Sequence, residues 1–162
     1  MPVKAVRRKN RAERAPIHSR AAIFGHPVHP MLVHFPVAAL LGVVLVDAAF
    51  LVQGDPFWAR AGVWLAGVGT VGGWLAAVPG MIDLLTVARV RQLVAAWCHA
   101  LLAVMMLSLA SLNWVMRLDD HGIGMQPWPF YLSLLTAVLI SGASVLGGQL
   151  VYHHEVAVDT TK

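Results

Sequence analysis

Three histidines lie within nine residues, immediately ahead of an apolar run that is long enough to cross a bilayer. They are His26, His29 and His34, in a segment (residues 25–36) that also contains three prolines. Neutral imidazole is a common metal ligand, and it exchanges protons near neutral pH. Polar side chains in membranes are costly and tend to be functional, which favours metal binding, haem binding or proton transfer. The structural alternative is that Pro27, Pro30 and Pro36 stiffen the entry and set helix starts.

Other polar side chains interrupt the apolar runs. His99 and Asn113 would fall within about 40° of one face of a helix, and such a face should point into a bundle. Asp47 lies inside the first apolar run. Because an isolated ionised carboxylate is expensive there, we expect Asp47 to be protonated or paired with a neighbour such as Arg60 or Asn113.

Several chemistries are absent from the sequence. A single cysteine, Cys98, excludes an internal disulfide, a four-cysteine metal site and a Cys-x-x-Cys site. The prolines argue against a helical pair of His26 and His29, and the lack of a Glu-x-x-His motif argues against a di-iron or zinc hydrolase site. Nothing indicates a hydrolase or a transferase, so an enzymatic activity would have to be redox chemistry.

The composition is that of an integral membrane protein. The 162 residues are 58% hydrophobic and 12% charged, whereas about 25% of a typical globular chain is charged. The length suits one domain. The net charge of +4 does not indicate a nucleic-acid partner, because most basic residues lie in one terminal tail. The predicted partner is therefore the lipid bilayer.

Four apolar stretches predict an all-α bundle of four transmembrane helices, since about 20 apolar residues span the hydrocarbon. Their approximate ranges are 31–52, 57–78 with a continuation to 85, 93–116 and 130–152. Residues 1–24 form a basic tail that we expect to be mobile. The membrane domain is predicted over 25–156, with a C-terminal tail at 157–162.

The basic residues predict the orientation. An even number of spans places the tail, residues 86–92 and Lys162 on one side of the membrane. The tail contains seven Lys and Arg residues and residues 86–92 contain two, so with Lys162 this side holds 10 of the 12. The positive-inside rule puts both termini in the cytoplasm. This topology brings polar groups from all four helices to one leaflet. They are His26, His29, His34, Asp83, His99, His153 and His154.

Four motifs in the chain match a known pattern. They are Gly25-His26-Pro27-Val28-His29-Pro30 with His34-Phe35-Pro36; the step at residues 79–83; His99 with Asn113; and the stretch at residues 147–154. Over about residues 23–156 the chain resembles the bacterial four-span membrane proteins called domain of unknown function 2231. Glu155 departs from the glycine that is usual there. The resemblance implies a bacterial inner-membrane protein and assigns no activity. Some relatives are joined to Rieske-type or cytochrome domains, which suggests redox work by association only.

Three hypotheses follow. In the first, histidines from different helices bind haem b or another redox centre. Its axial ligands would be His34 and His99, with His29 or His154 as substitutes, and Arg91 would neutralise a propionate. In the second, the protein is a cofactor-free assembly module that docks a redox or signalling partner. In the third, it is a small transporter or proton conductor that uses His34, His99, Asp47 and Asn113. Separately from these hypotheses, a homo-oligomer is among the expected partners.

Overall fold

The computed structural model describes residues 16–119, 123 and 126–158. Two short antiparallel strands come first, β1 (Ala22–Ile23) and β2 (His26–Pro27). In the part of the chain described, the helices that follow are α1 (Val28–Gln53), α2 (Pro56–Thr86), α3 (Ala88–Arg91), α4 (Val94–Met116) and α5 (Trp128–Tyr152). The helices α1, α2, α4 and α5 are each long and apolar enough to cross a membrane. The prediction of an all-α bundle with four spans is confirmed.

Local chemistry sets the first helix boundaries. Gly54 adopts the left-handed conformation (φ 67°) and closes α1, as glycine commonly does. The carboxylate of Asp55 accepts the N–H of Phe57 and caps α2, whose first residue is a proline. Pro36 lies inside α1 rather than at its start, so the prediction that all three prolines of residues 25–36 mark helix starts is wrong for Pro36. Membrane helices tolerate such interior prolines.

The four long helices form two equivalent hairpins, α1–α2 and α4–α5. Four of the five buried positions of α1, all except Ala39, have a buried counterpart in α4 or at its C-cap. The shift is a constant 70 residues, the separation of Asp47 from Arg117. The buried pairs are Pro36–Met106, Leu40–Ala110, Val43–Asn113 and Asp47–Arg117. Every buried position of α5 likewise has a buried counterpart in α2. Those pairs are Gly62–Pro129, Ala66–Ser133, Gly69–Thr136, Gly73–Ile140 and Ala76–Ala143.

A pseudo-twofold axis relates the two hairpins and runs along the bundle. Residues that are equivalent under a twofold and also touch each other must lie beside its axis. His29 and His99 do so at one end of the bundle, and Asp47 and Arg117 do so at the other. We call these the histidine end and the ion-pair end. Between them lies an apolar buried cluster of Leu40, Met106, Leu107, Ala110 and Ile140. Thr70 and Thr136, near the middle of α2 and α5, are buried as well.

Residues 16–21 lie across the histidine end as a strap. Ile17 is buried against Leu84, Val90 and Ala96, and its backbone bonds to residues 155 and 157. Residues 16–24, which the sequence assigns to a mobile tail, are therefore part of the folded unit. Residues 1–15 of that tail lie outside the described part. The pairing of Ile17 with Val156 also places both described chain ends at the histidine end, as an even number of spans requires.

Candidate functional site

Two histidines from opposite hairpins meet at the histidine end of the axis. His29 lies in the first turn of α1 and His99 lies in the second turn of α4. Their ring centres are 6.1 Å apart and the ring planes are nearly perpendicular, at 83°. Both side chains are half-buried. The bundle therefore holds a pair of imidazoles that belong to different hairpins.

Each imidazole is oriented by its own hairpin. The Nδ1 atom of His29 lies 2.8 Å from the carbonyl oxygen of Ala76, and Nδ1 of His99 lies 2.8 Å from that of Ala143. A carbonyl can only accept, so each Nδ1 carries the proton. In the neutral ring the lone pair is then on Nε2. No hydrogen bond reaches either Nε2 from the residues that the structure describes.

A glycine makes room for each ring. Gly80 follows Ala76 by one helical turn, and a Cβ atom there would lie 3.0 Å from Nδ1 of His29. Gly147 follows Ala143 by one turn, and a Cβ there would lie 3.3 Å from Cε1 of His99. The same niche, an alanine carbonyl followed four residues later by a glycine, is thus built twice.

The other predicted ligands lie elsewhere. His34 is on α1, but its side chain is exposed, and the structure does not bring it to His99. His154 contacts the ring of His153 at 5.3 Å. His26 bonds through Nδ1 to the carbonyl of Phe24. Arg91 is exposed and donates to the carbonyl of Leu85. Of the predicted axial ligands, the structure pairs His99 with the named substitute His29.

Asp83 does not face the histidine pair. Its carboxylate accepts three hydrogen bonds from the strap: from the Ser19 hydroxyl at 2.5 Å, and from the backbone N–H groups of Arg20 and Ala21 at 2.7 and 3.0 Å. The role of Asp83 in the structure is therefore to hold residues 16–21 over the histidine end.

The second polar site lies at the ion-pair end. Asp47 and Arg117 are joined by two hydrogen bonds of 2.7 Å, and both side chains are almost fully buried. Asp47 also accepts from the Ser133 hydroxyl, while Nε of Arg117 donates to the Asn113 side chain. The expected pairing of Asp47 holds, but its partner is neither Arg60, which is exposed, nor Asn113.

The sequence alone does not single out Arg117, because this residue lies just beyond the apolar run 93–116. The signal that identifies it is the spacing: Arg117 follows His99 by 18 residues, as Asp47 follows His29. The glycine niches carry a similar signal in their shared spacing. Neither signal can be interpreted until the two hairpins are known to be equivalent.

Comparison with models of known protein families identifies the family of the chain. The family model described as a predicted membrane protein, domain of unknown function 2231 (DUF2231), matches residues 25–160. The chain belongs to this family. No curated protein and no solved structure matches it. The DUF2231 match includes both histidines of the pair, both glycine niches and the Asp47–Arg117 pair. The strap (residues 16–21) lies before the matched region.

Proposed function

We propose that this DUF2231 protein is a small redox protein of the bacterial inner membrane, with both termini in the cytoplasm. In this proposal His29 and His99 bind one transition-metal centre between the two hairpins. The observation that carries the proposal is the pair itself: two half-buried imidazoles on the pseudo-twofold axis, both with Nδ1 committed to a backbone carbonyl. Metal-ligating histidines almost always donate their second nitrogen in this way, which fixes the tautomer and the ring orientation.

The separation of the rings suits one shared metal ion. An imidazole nitrogen binds a metal at about 2 Å, so two rings facing each other across one ion have centres about 6 Å apart. The ring centres of His29 and His99 are 6.1 Å apart. Among the described residues, no group of three or more His, Cys, Asp or Glu side chains could hold a metal. The proposed centre is therefore one that needs only two protein ligands.

Haem b is the first candidate for this centre. The porphyrin supplies four ligands and leaves two axial positions, which imidazoles commonly fill. The haem would supply one-electron chemistry. His29 and His99 would hold the iron and set its potential through the hydrogen bonds at Nδ1. A copper ion bound by the two imidazoles is the alternative, and it needs no room for a macrocycle.

The test is a spectrum and a metal analysis of protein purified from its native membrane. Haem binding predicts a Soret band and a dithionite-induced α band, both lost in His29→Ala and His99→Ala. Copper binding predicts close to one copper per chain and no Soret band, with the copper lost in the same variants. Protein that contains neither haem nor stoichiometric copper, after both have been supplied during expression, would overturn the proposal.

The cofactor-free assembly module is the second candidate. The observation in its favour is the set of exposed basic and imidazole side chains at the histidine end, which could dock an acidic redox or signalling partner. They are His18, Arg20, His26 and Arg91. This candidate predicts a colourless protein that loses a co-purifying partner when His26 and Arg91 are both changed to alanine.

The interior favours the redox protein over the proton conductor. The histidine pair and the ion pair are 18 residues apart along α1, about 27 Å of helix. The buried cluster around Leu40, Leu107 and Ile140 fills the space between them. Thr70 and Thr136 add two buried hydroxyls to this segment, and Thr136 already donates to the carbonyl of Leu132. Two hydroxyls are too few to form a continuous chain of hydrogen bonds over that length.

A further inference from the structure

The β1–β2 hairpin carries a strained aromatic residue at its tip. Phe24 and Gly25 form the two-residue turn, with φ angles of 50° and 79°. A turn with two positive φ angles strongly favours Asn-Gly or another small pair. A bulky side chain in this conformation is an outlier, and such strain tends to persist at functional positions. Because Phe24 is 97% exposed, packing within the chain does not offset the strain.

The hairpin continues the apolar surface of the first transmembrane helix. Ile23 beside the tip is exposed, as are Met31 and Phe35 in the first turns of α1. Residues of a membrane-spanning helix that face outward contact lipid. Ile23 and Phe24 line one groove with Met31 and Leu32 of α1, so they extend the lipid-facing surface beyond the N-terminus of α1. The exposed imidazole of His26 lies on β2 beside them.

The surroundings of the hairpin match a membrane–water boundary. Trp97 and Tyr152, on the other hairpin, are exposed at the same end of the bundle, and such aromatic residues form belts at the level of the lipid headgroups. Arg20 and Arg91 are also exposed at this end. Basic side chains at this depth are attracted to anionic headgroups. The apolar tip, with exposed arginines around it, therefore suits a position at the surface of a lipid bilayer rather than one in water.

We propose that the hairpin of residues 22–27 is a membrane anchor that inserts Phe24 into the lipid at the boundary between headgroups and acyl chains. The partner is the bilayer surface on the side of the histidine end. The anchor fixes the start of α1, and with it the depth of His29. The anchor does not depend on any cofactor at the histidine pair.

A nitroxide label beside the tip tests the anchor. The label is placed at Ile23→Cys in a Cys98→Ser background, with the full chain in lipid nanodiscs that contain phosphatidylglycerol. Its collision rates with oxygen and with a water-soluble nickel chelate report depth. We expect the label to collide more often with oxygen, which concentrates in the lipid, than with the nickel chelate, which stays in the water. The variant Phe24→Asn creates the Asn-Gly pair that this turn prefers, so it keeps the hairpin while removing the apolar tip. It should raise the nickel collision rate severalfold.

The control is the same label at His18→Cys, an exposed position outside the hairpin, which should be accessible to nickel with either residue at position 24. A label at residue 23 that is open to nickel with Phe24 present would overturn the anchor, and so would one that Phe24→Asn does not move. Spin–spin broadening between fully labelled copies would also overturn it, because a second copy would then cover the tip. The unfolding midpoint of Phe24→Asn confirms that the variant is folded.

Discussion

Asp47 and Arg117 occupy equivalent positions in the two hairpins, yet one is an acid and the other a base, and they pair across the pseudo-twofold axis. Identical residues at these positions would bring two like charges together in a low-dielectric interior, which is strongly unfavourable. At the other end of the axis the two equivalent residues are both histidine. Two neutral imidazoles do not repel each other in this way, so both hairpins can have the same residue at the histidine end.

Removing one partner of the buried ion pair should destabilise the bundle strongly. Asp47→Asn and Arg117→Met should each lower the free energy of unfolding by about 3 kcal/mol or more, because the remaining group is left buried without its partner. The double variant should lose clearly less than the two single losses combined. Unfolding in mixed micelles, followed by circular dichroism, measures these values. Arg60→Met is the matched control and should stay within about 0.5 kcal/mol, since Arg60 is exposed. Additive losses would contradict the pairing.

The glycine niches give a second prediction. Gly80→Ala places a Cβ 3.0 Å from Nδ1 of His29, so it should destabilise the protein by about 1–3 kcal/mol through overpacking. It should also displace the ring from the carbonyl of Ala76. Gly148→Ala is the control, because its Cβ would meet only Tyr152, at 4.0 Å. With nothing crowded, the better helix propensity of alanine should make Gly148→Ala neutral or stabilising. Equal effects at both positions would argue against a tight niche.

Loss of the Asp83 carboxylate should release the strap. In Asp83→Ala, tryptic cleavage after Arg20 should accelerate by about tenfold or more, because a hydrogen bond to a charged group contributes about 1.5–3 kcal/mol and three are lost. Cleavage of a transiently open segment follows its open population. Mass spectrometry of the fragments separates this cut from those nearer the N-terminus. Ser19→Ala removes one of the three bonds and should show a smaller increase. Unchanged cleavage in Asp83→Ala would show that Ile17, rather than Asp83, holds the strap.

His29 and His34 separate the two assignments of the second ligand. If a centre is bound as proposed, His29→Ala should abolish its absorption band or its metal content, because the structure pairs His29 with His99 at 6.1 Å. His34→Ala should leave both unchanged, since the side chain of His34 is exposed. The comparison uses native-membrane preparations of both variants, with bound centre normalised to protein. Loss in His34→Ala together with retention in His29→Ala would restore His34 as the ligand.

Composition and apolar run length were enough to predict the membrane class, the four spans and most helix boundaries to within about three residues. The reason is that a helix across the hydrocarbon must be continuous, apolar and about 20 residues long, and all three properties can be read from a single stretch of sequence. The even number of spans also placed both chain ends on one side. The sequence names His99 as a ligand candidate because an imidazole inside an apolar run is conspicuous. It names His29 only as a substitute for His34, because His29 belongs to the histidine cluster ahead of the first run.

Which histidine faces His99 was decided only by the tertiary structure. His29 and His34 are five residues apart, and their facing depends on how α1 packs against α2, where Gly80 leaves the space that the ring of His29 occupies. The partner of Asp47 was decided in the same way, since Arg117 lies beyond the apolar run and reaches Asp47 only because the two hairpins pack about a common axis. A sequence lists polar residues along one dimension. The pairing between hairpins depends on helix rotation and register, which the packing of the whole bundle determines.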